Sequence, residues 1–310
     1  MTGFQVPPSM NHLLCFGLGF CGKALAARLA RQGWRITGTS RSAEGAAGIA
    51  ALGYSALVFD GIVPLPPEVF EDAAHILISV PPDADSDPVL RHHGKQFAAH
   101  ANQLQWLGYL STTGIYGDHD GGWVTETSPL TPNTERGRKR LAAENGWLAL
   151  HRQQGLPVHV FRLAGIYGPG RNQLVSLLNG TAKRIIKPGQ VFSRIHVDDI
   201  AAVLEASMRR PNPGAAYNVC DDEPSPPQDV VAHAAQLLGL PLPPAIAFED
   251  AELSPMARSF YADSKRVSND LIKRELGVSL RYPTYREGLA ALLKELRPRP
   301  ARRGGEPFRG

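Results

Sequence analysis

Hydrophobic positions in the first half of the chain fall into short runs separated by stretches of helical spacing. "HLLCFG", "WRITGT", "SALVFD", "HILISV", "LQWLGYLS" and "PVHVFRL" are close to continuously apolar, the pattern of strands buried on both faces. Between the first two, "GKALAARLARQG" sets Leu25, Ala26 and Leu29 on one helical face and stops at Gly33, and "AEGAAGIAALG" repeats that spacing more weakly. A helix is predicted over Pro88–Gln103, and another carries "PNTERGRKRLAAEN", Pro132 to Asn145, ahead of the last run. Strands alternating with helices in this way predict an α/β fold, a Rossmann-type doubly wound parallel sheet with helices on both faces.

After Gly165 the rhythm breaks. Pro and Gly cluster in "YGPG", "KPG", "RPNPG" and "DDEPSPP", and helices are predicted over Asp199–Met208, Pro227–Leu238, Lys265–Leu276 and Thr284–Leu296. The chain therefore divides into a Rossmann dinucleotide-binding domain (1–165), a small mixed C-terminal substrate lobe with elements returning to the sheet (166–296), and a tail (297–310). That tail, "RPRPARRGGEPFRG", has little that can pack and reads as disordered and basic.

Charge changes the picture only slightly. The tail's five arginines against one glutamate account for the whole formal excess of +4, so the remaining chain is close to neutral. A nucleic-acid partner would need basic residues clustered on a folded face and is not expected. With 43% hydrophobic and 20% charged residues among 310, the composition is that of a globular protein with a sizeable core. Cys15, Cys21 and Cys220 show no metal-ligand spacing, and no metal site is expected. The start "MTGFQVPPSMNH" lacks a basic-then-apolar order, and no apolar run approaches the ~18 residues that span a bilayer. The expectation is a cytoplasmic protein without a membrane partner, a monomer or homodimer that acts on a small molecule.

"FGLGFCG" supplies the candidate chemistry. It places Gly17-x-Gly19-x-x-Gly22 directly after the first strand, with Phe20 and Cys21 opening the first helix. Gly17 suits the tight turn, Gly19 the approach of backbone to a pyrophosphate, and Gly22 close packing of helix on strand. The phosphates would rest among the free N–H groups of the helix. An NAD site usually ends its second strand with a carboxylate for the ribose 2′-hydroxyl; this chain has Thr39, Ser40 and Arg41 there. Hydroxyls beside an arginine suit a 2′-phosphate, so NADP(H) is expected over NAD.

"YLSTTGIYG", "FRLAGIYGPG", "RIHVDDIA" and "YNVCDDEP" follow the glycine loop in order. Together they resemble the extended short-chain dehydrogenase/reductase family, in its epimerase and dehydratase branch, over roughly His12 to Leu296. "ISVPPDADSDPVL" and "GIYGPGRN" look most like an atypical bacterial subgroup. The resemblance implies that Asp60 contacts the adenine and that Ser79 and Val80 line the nicotinamide half of the cofactor. It also implies a Ser or Thr at the end of the fifth strand, then Tyr-x-x-x-Lys on the next helix. Thr112 matches the first, but Arg136 stands at the tyrosine and Arg140 at the lysine.

A spacing of four keeps both arginines on one helix face, yet guanidinium offers no acceptor and stays protonated, so it cannot take over the tyrosine's proton transfer. Two readings stay open: the pair holds an anionic substrate group, or it forms only local ion pairs, for instance with Glu144. Tyr116 and Tyr167 are further candidates for the proton, His196 reads as structural, and Asp198 or Asp199 as the cap of the helix that follows. The function expected is an NADP(H)-binding oxidoreductase or epimerase-like enzyme with a substituted site. The alternative is a non-catalytic NADP(H)-binding regulatory or sensor protein.

Overall fold

Side chains along each central strand alternate between two separate cores. Leu13 and Cys15 join one with Leu77 and Phe161, while Leu14 and Phe16 join the other with Ile76, Ile78 and Tyr109, as the two-residue period of a strand requires. The computed structural model describes residues 11–296. Its first half runs β1 (His12–Phe16), α1 (Phe20–Ala30), β2 (Arg35–Ser40), α2 (Ala43–Ala50), β3 (Ser55–Val58), β4 (His75–Ile78), α3 (Pro88–Ala99), β5 (Trp106–Thr112), β6 (Trp123–Val124), α4 (Glu135–Gln154) and β7 (Val158–Leu163). The second continues with β8 (Gly165–Tyr167), α5 (Gln173–Leu178), β9 (Arg184–Ile186), β10 (Arg194–His196), α6 (Val197–Arg209), β11 (Ala216–Val219) and α7 (Pro227–Leu238). It ends with β12 (Ala245–Ala247), α8 (Pro255–Phe260), β13 (Arg266–Val267), α9 (Asp270–Leu276) and α10 (Tyr285–Leu296).

Seven strands form the central sheet in the order β11-β7-β5-β4-β1-β2-β3, every pair parallel. The chain starts in the middle, winds outward through β2 and β3, then crosses to β4 and winds the other way. Ligands of open α/β sheets bind where that order reverses, beyond the strand ends between β1 and β4. Leu25 and Leu29 of α1, Ile200 and Leu204 of α6, and Leu276 of α9 cover one face. Phe97 of α3 and Ala143 and Trp147 of α4 cover the other.

The later segments supply a third apolar cluster, where Tyr167, Leu174, Val230, Tyr285 and Leu289 pack α5, α7 and α10 together. One predicted helix is shorter than expected. In place of a helix over Lys265–Leu276, Arg266–Val267 pairs with Trp123–Val124 as a short strand and α9 begins only at Asp270. The Asn269 amide donates to Cys220 O at 2.8 Å and to Asp222 Oδ1 at 2.6 Å, and such side-chain contacts hold a residue at a helix end rather than inside it. The expectation for 297–310 lies outside the described residues.

Candidate active site

Gly17 has φ +78°, a conformation glycine adopts without strain, and a Cβ there would stand 3.1 Å from Val80 Cγ2. Thr39 fixes the loop twice: its hydroxyl accepts the Gly17 N–H at 2.9 Å, and its carbonyl accepts the Leu18 N–H at 2.9 Å. A Cβ on Gly22 would lie 2.9 Å from Cys15 Sγ, whereas one on Gly19 would meet nothing nearer than Gly17 O at 3.9 Å. The strand and helix thus close around Gly22, while the space over Gly19 stays open. Among the described residues no side chain caps α1, and no acidic residue stands in its first turn. The first helix N–H with a backbone acceptor is that of Lys23, bonded to Gly19 O at 2.8 Å. These features fit a dinucleotide pyrophosphate on the donors of Phe20, Cys21 and Gly22.

Thr39 therefore faces the glycine loop, contrary to the expectation that its hydroxyl flanks Arg41. Ser40 and Arg41 remain at the open end of β2, with Arg41 exposed. Beside them Ser42 caps α2, accepting the Gly45 N–H at 3.2 Å. Asp60 is exposed, and its Oδ1 accepts the N–H groups of Ile62 (2.8 Å) and Val63 (3.1 Å). Those two bonds hold its carboxyl below the usual range. Ser79 follows β4, its N–H bonded to Phe16 O at 2.9 Å.

Beyond these strand ends lies a cleft of about 880 Å³, within the size range of small-molecule sites. Its walls include Cys21, Ser79, Thr112, Arg136 and Arg140 together with residues of the later segments, among them Arg171, Arg194 and Phe260. Thr112 accepts the Gly114 N–H at 3.2 Å through its hydroxyl, which leaves the hydroxyl proton free to donate. Arg140 donates to Leu110 O at 2.9 Å and to Tyr109 Oη at 3.3 Å. Arg136 lies with its guanidinium carbon 5.3 Å from the centre of the Phe260 ring. Partial burial, then the charges of Arg140 and Arg171, push the Arg136 pKa down. Neither Arg136 nor Arg140 forms a salt bridge among the described residues. Glu144 is taken by Arg162 at 2.7 Å and by the Ser111 hydroxyl at 2.6 Å.

Tyr116 is not a cleft residue, which corrects the sequence reading. It is fully buried, its hydroxyl donates to Asn218 Oδ1 at 2.7 Å, and it accepts from Arg162 Nη1 at 2.8 Å. Burial pushes its pKa up to about 12. Tyr167 does reach the cleft wall, with its hydroxyl 3.5 Å from Thr284 O. The helix cap also differs from expectation: His196, not an aspartate, caps α6 by accepting the Asp198 N–H at 3.1 Å. Asp199 instead accepts the N–H groups of Arg281 (2.7 Å) and Tyr282 (3.0 Å). Sequence reasoning did not assign Arg171, Arg194 or Lys265. Lys265 is nearly buried, donating to Gly117 O at 2.6 Å and pairing with Asp263 at 3.1 Å. Arg194 donates to Phe192 O at 2.9 Å. Only the quoted motifs "GIYGPGRN" and "RIHVDDIA" pointed toward Arg171 and Arg194.

The glycine loop opens at the switch point of the sheet, where open α/β folds bind their ligands, onto this cleft. The sequence profile of the NAD dependent epimerase/dehydratase family matches residues 97–220. The chain is similar to Protein YeeZ of Escherichia coli strain K12, at 28% identity over 294 residues covering 88% of this chain and 97% of YeeZ. A conserved protein of unknown function from Silicibacter pomeroyi DSS has a solved structure 58% identical in sequence, with TM-score 0.86 over 92% of this chain and 99% of that one. The NAD complex of dTDP-glucose 4,6-dehydratase from Bacillus anthracis shares the fold at 19% identity and TM-score 0.73, covering 91% and 95% of the two chains. So does UDP-glucuronic acid 4-epimerase from Bacillus cereus with UDP-glucuronic acid and NAD, at 16% identity and TM-score 0.72, covering 92% and 100%. Among the described residues no helix is long and apolar enough to cross a membrane, and no group of three His, Cys, Asp or Glu could hold a metal ion.

Proposed function

We propose that the protein is an NADP(H)-dependent enzyme of the oxidoreductase or epimerase type, with Arg136 and Arg140 holding an anionic group of a small substrate. The observation that carries this reading is the pair itself: two cations on the cleft wall, anchored by carbonyl and aromatic groups and free of any carboxylate partner among the described residues. Unpaired guanidiniums at a wet cleft attract carboxylate or phosphate in a forked geometry. A nicotinamide dinucleotide bound at the loop supplies hydride transfer. Thr112 donates a hydrogen bond from its hydroxyl to a substrate oxygen, and the arginines orient the substrate and stabilise negative charge that develops on it. The cleft volume of about 880 Å³ supports a substrate beside the nicotinamide half, in preference to a closed sensor.

Small carboxylates and phosphate esters are expected to bind the NADPH-loaded protein, more weakly as salt is added. Arg136→Ala removes that binding with cofactor affinity almost intact. Arg140→Ala weakens both, since the position it occupies adjoins the nicotinamide ribose in this reading. Calorimetric titration of the parent and both variants decides it: anion and cofactor affinities equal in all three would leave the arginines as surface residues.

The NADP(H) preference rests on Ser40 and Arg41 standing at the end of β2 without a carboxylate. Arg41→Asp is expected to weaken NADPH relative to NADH by about ten-fold or more, as the loss of a charge-assisted phosphate contact implies. Equal affinity of the parent for the two cofactors would end this assignment.

A further inference from the structure

Arg171 has no part in the substrate reading, and its surroundings point elsewhere. It stands in the turn after β8, tied to Gly168 by reciprocal backbone hydrogen bonds of 3.0 and 3.1 Å. Its guanidinium carbon lies 5.9 Å from the centre of the Phe20 ring, and Phe20 is the first residue of α1 in the glycine loop. The turn is pressed against that loop. A Cβ on Gly168 would come 3.1 Å from Phe20 Cζ and 2.7 Å from Val197 Cγ1, so Gly168 lets the turn approach closely. Arg171 and Cys21 line the same cleft. Burial pushes the Cys21 thiol up to about 11, and the Arg171 charge acts against that rise. Arg171 is exposed and forms no salt bridge among the described residues.

We propose that Arg171 binds the pyrophosphate of the dinucleotide, closing from the second half of the chain over the anion that the glycine loop holds from the first. The helix end supplies only about half a positive charge, against the two negative charges of a pyrophosphate. A guanidinium above Phe20 adds a full charge and a planar fork of donors matched to phosphate oxygens. It also gives the site a contribution from beyond β7, joining segments far apart in sequence around one ligand. The pyrophosphate would in turn offset the repulsion between Arg171 and Arg136 that helps lower the Arg136 pKa, leaving Arg136 the better able to hold a substrate.

ADP-ribose, which has the pyrophosphate without nicotinamide, is the probe, titrated calorimetrically into the full chain at several salt concentrations. Arg171→Ala is expected to weaken it by about ten-fold or more and to flatten the salt dependence, with the unfolding temperature of the ligand-free protein unchanged. Arg171→Lys restores part of both. An unchanged ADP-ribose affinity in Arg171→Ala overturns the proposal, and so does a loss of affinity that leaves the salt dependence as it was. The inference rests on the dinucleotide reading of the glycine loop, and the two fail differently. A parent protein that binds neither ADP-ribose nor NADPH ends that reading, whereas parent and variant binding equally well ends only the role of Arg171.

Discussion

Arg136 and Arg140 show how far single residues can be read from spacing alone. A helix repeats its face every four residues or so, hence the interval from Pro132 and the motif "STTGIYG" were enough to bring both arginines and Thr112 to one cleft. Tyr116 was misjudged because its environment is made by distant chain. The turn Thr113–Tyr116 rotates its ring inward, onto Arg162 and onto an Asn218 that lies 102 residues away. Nothing local in "GIYG" announces those partners. Tyr116→Phe is accordingly expected to cost stability, about 1–2 kcal/mol for the hydrogen bonds that Asn218 and Arg162 lose, while cofactor and anion affinities stay as they were. Chemical denaturation beside ligand titration checks this. Ligand binding lost at unchanged stability would return the tyrosine to the site.

At the level of elements, the glycine loop separates what the chain needs from what a ligand needs. Gly19 has φ −88°, open to any residue, and open space where a Cβ would go; Gly22 is hemmed in by Cys15 and Leu18. Gly22→Ala should therefore destabilise the fold by about 1–3 kcal/mol through overpacking. Gly19→Ala should leave the melting temperature nearly unchanged and weaken dinucleotide binding several-fold or more. A melting temperature lowered equally by both substitutions would contradict this division. The loop was legible because its function lies in glycine itself. The long strands were legible for a similar reason, being apolar throughout. The short strands β6, β8, β9, β10, β12 and β13 have two or three residues each, too few to show any period. The helix predicted from Lys265 overran for the same cause, since Val267 and Asn269 are placed by pairing with Val124 and Cys220 across the fold.

The molecule as a whole carries several histidines that burial keeps neutral. Burial pushes His75, His159 and His196 down to about 4, and His12 is also lowered. In the unfolded chain each titrates near 6.5. Above that pH both states are neutral and these groups leave stability unaffected by pH. Between 6.5 and 4 the unfolded chain takes up protons that the folded one refuses, so stability falls by at most about 1.4 kcal/mol per pH unit for each group. Asp221 acts in the opposite sense, burial raising it to about 8, which makes a comparison of variants the cleaner measurement. His75→Leu removes a ring whose Nδ1 is buried without a partner among the described residues. The slope of its stability between pH 6.5 and 4 should be shallower than the parent's, with the two parallel above pH 7. Identical slopes across the acid range would show that His75 is protonated in the fold.

The order of the sheet has a consequence for synthesis. β11 is its outermost strand and pairs along β7, yet it is translated after α5 and α6. While the ribosome is still making those segments, β7 has no neighbour on that side, although all of its residues are buried in the finished protein. An apolar edge left open in this way is a template for pairing between chains. A nascent chain stalled or cleaved near Gly165 would expose it, so that until β11 emerges the β7 edge is open to pairing with another chain.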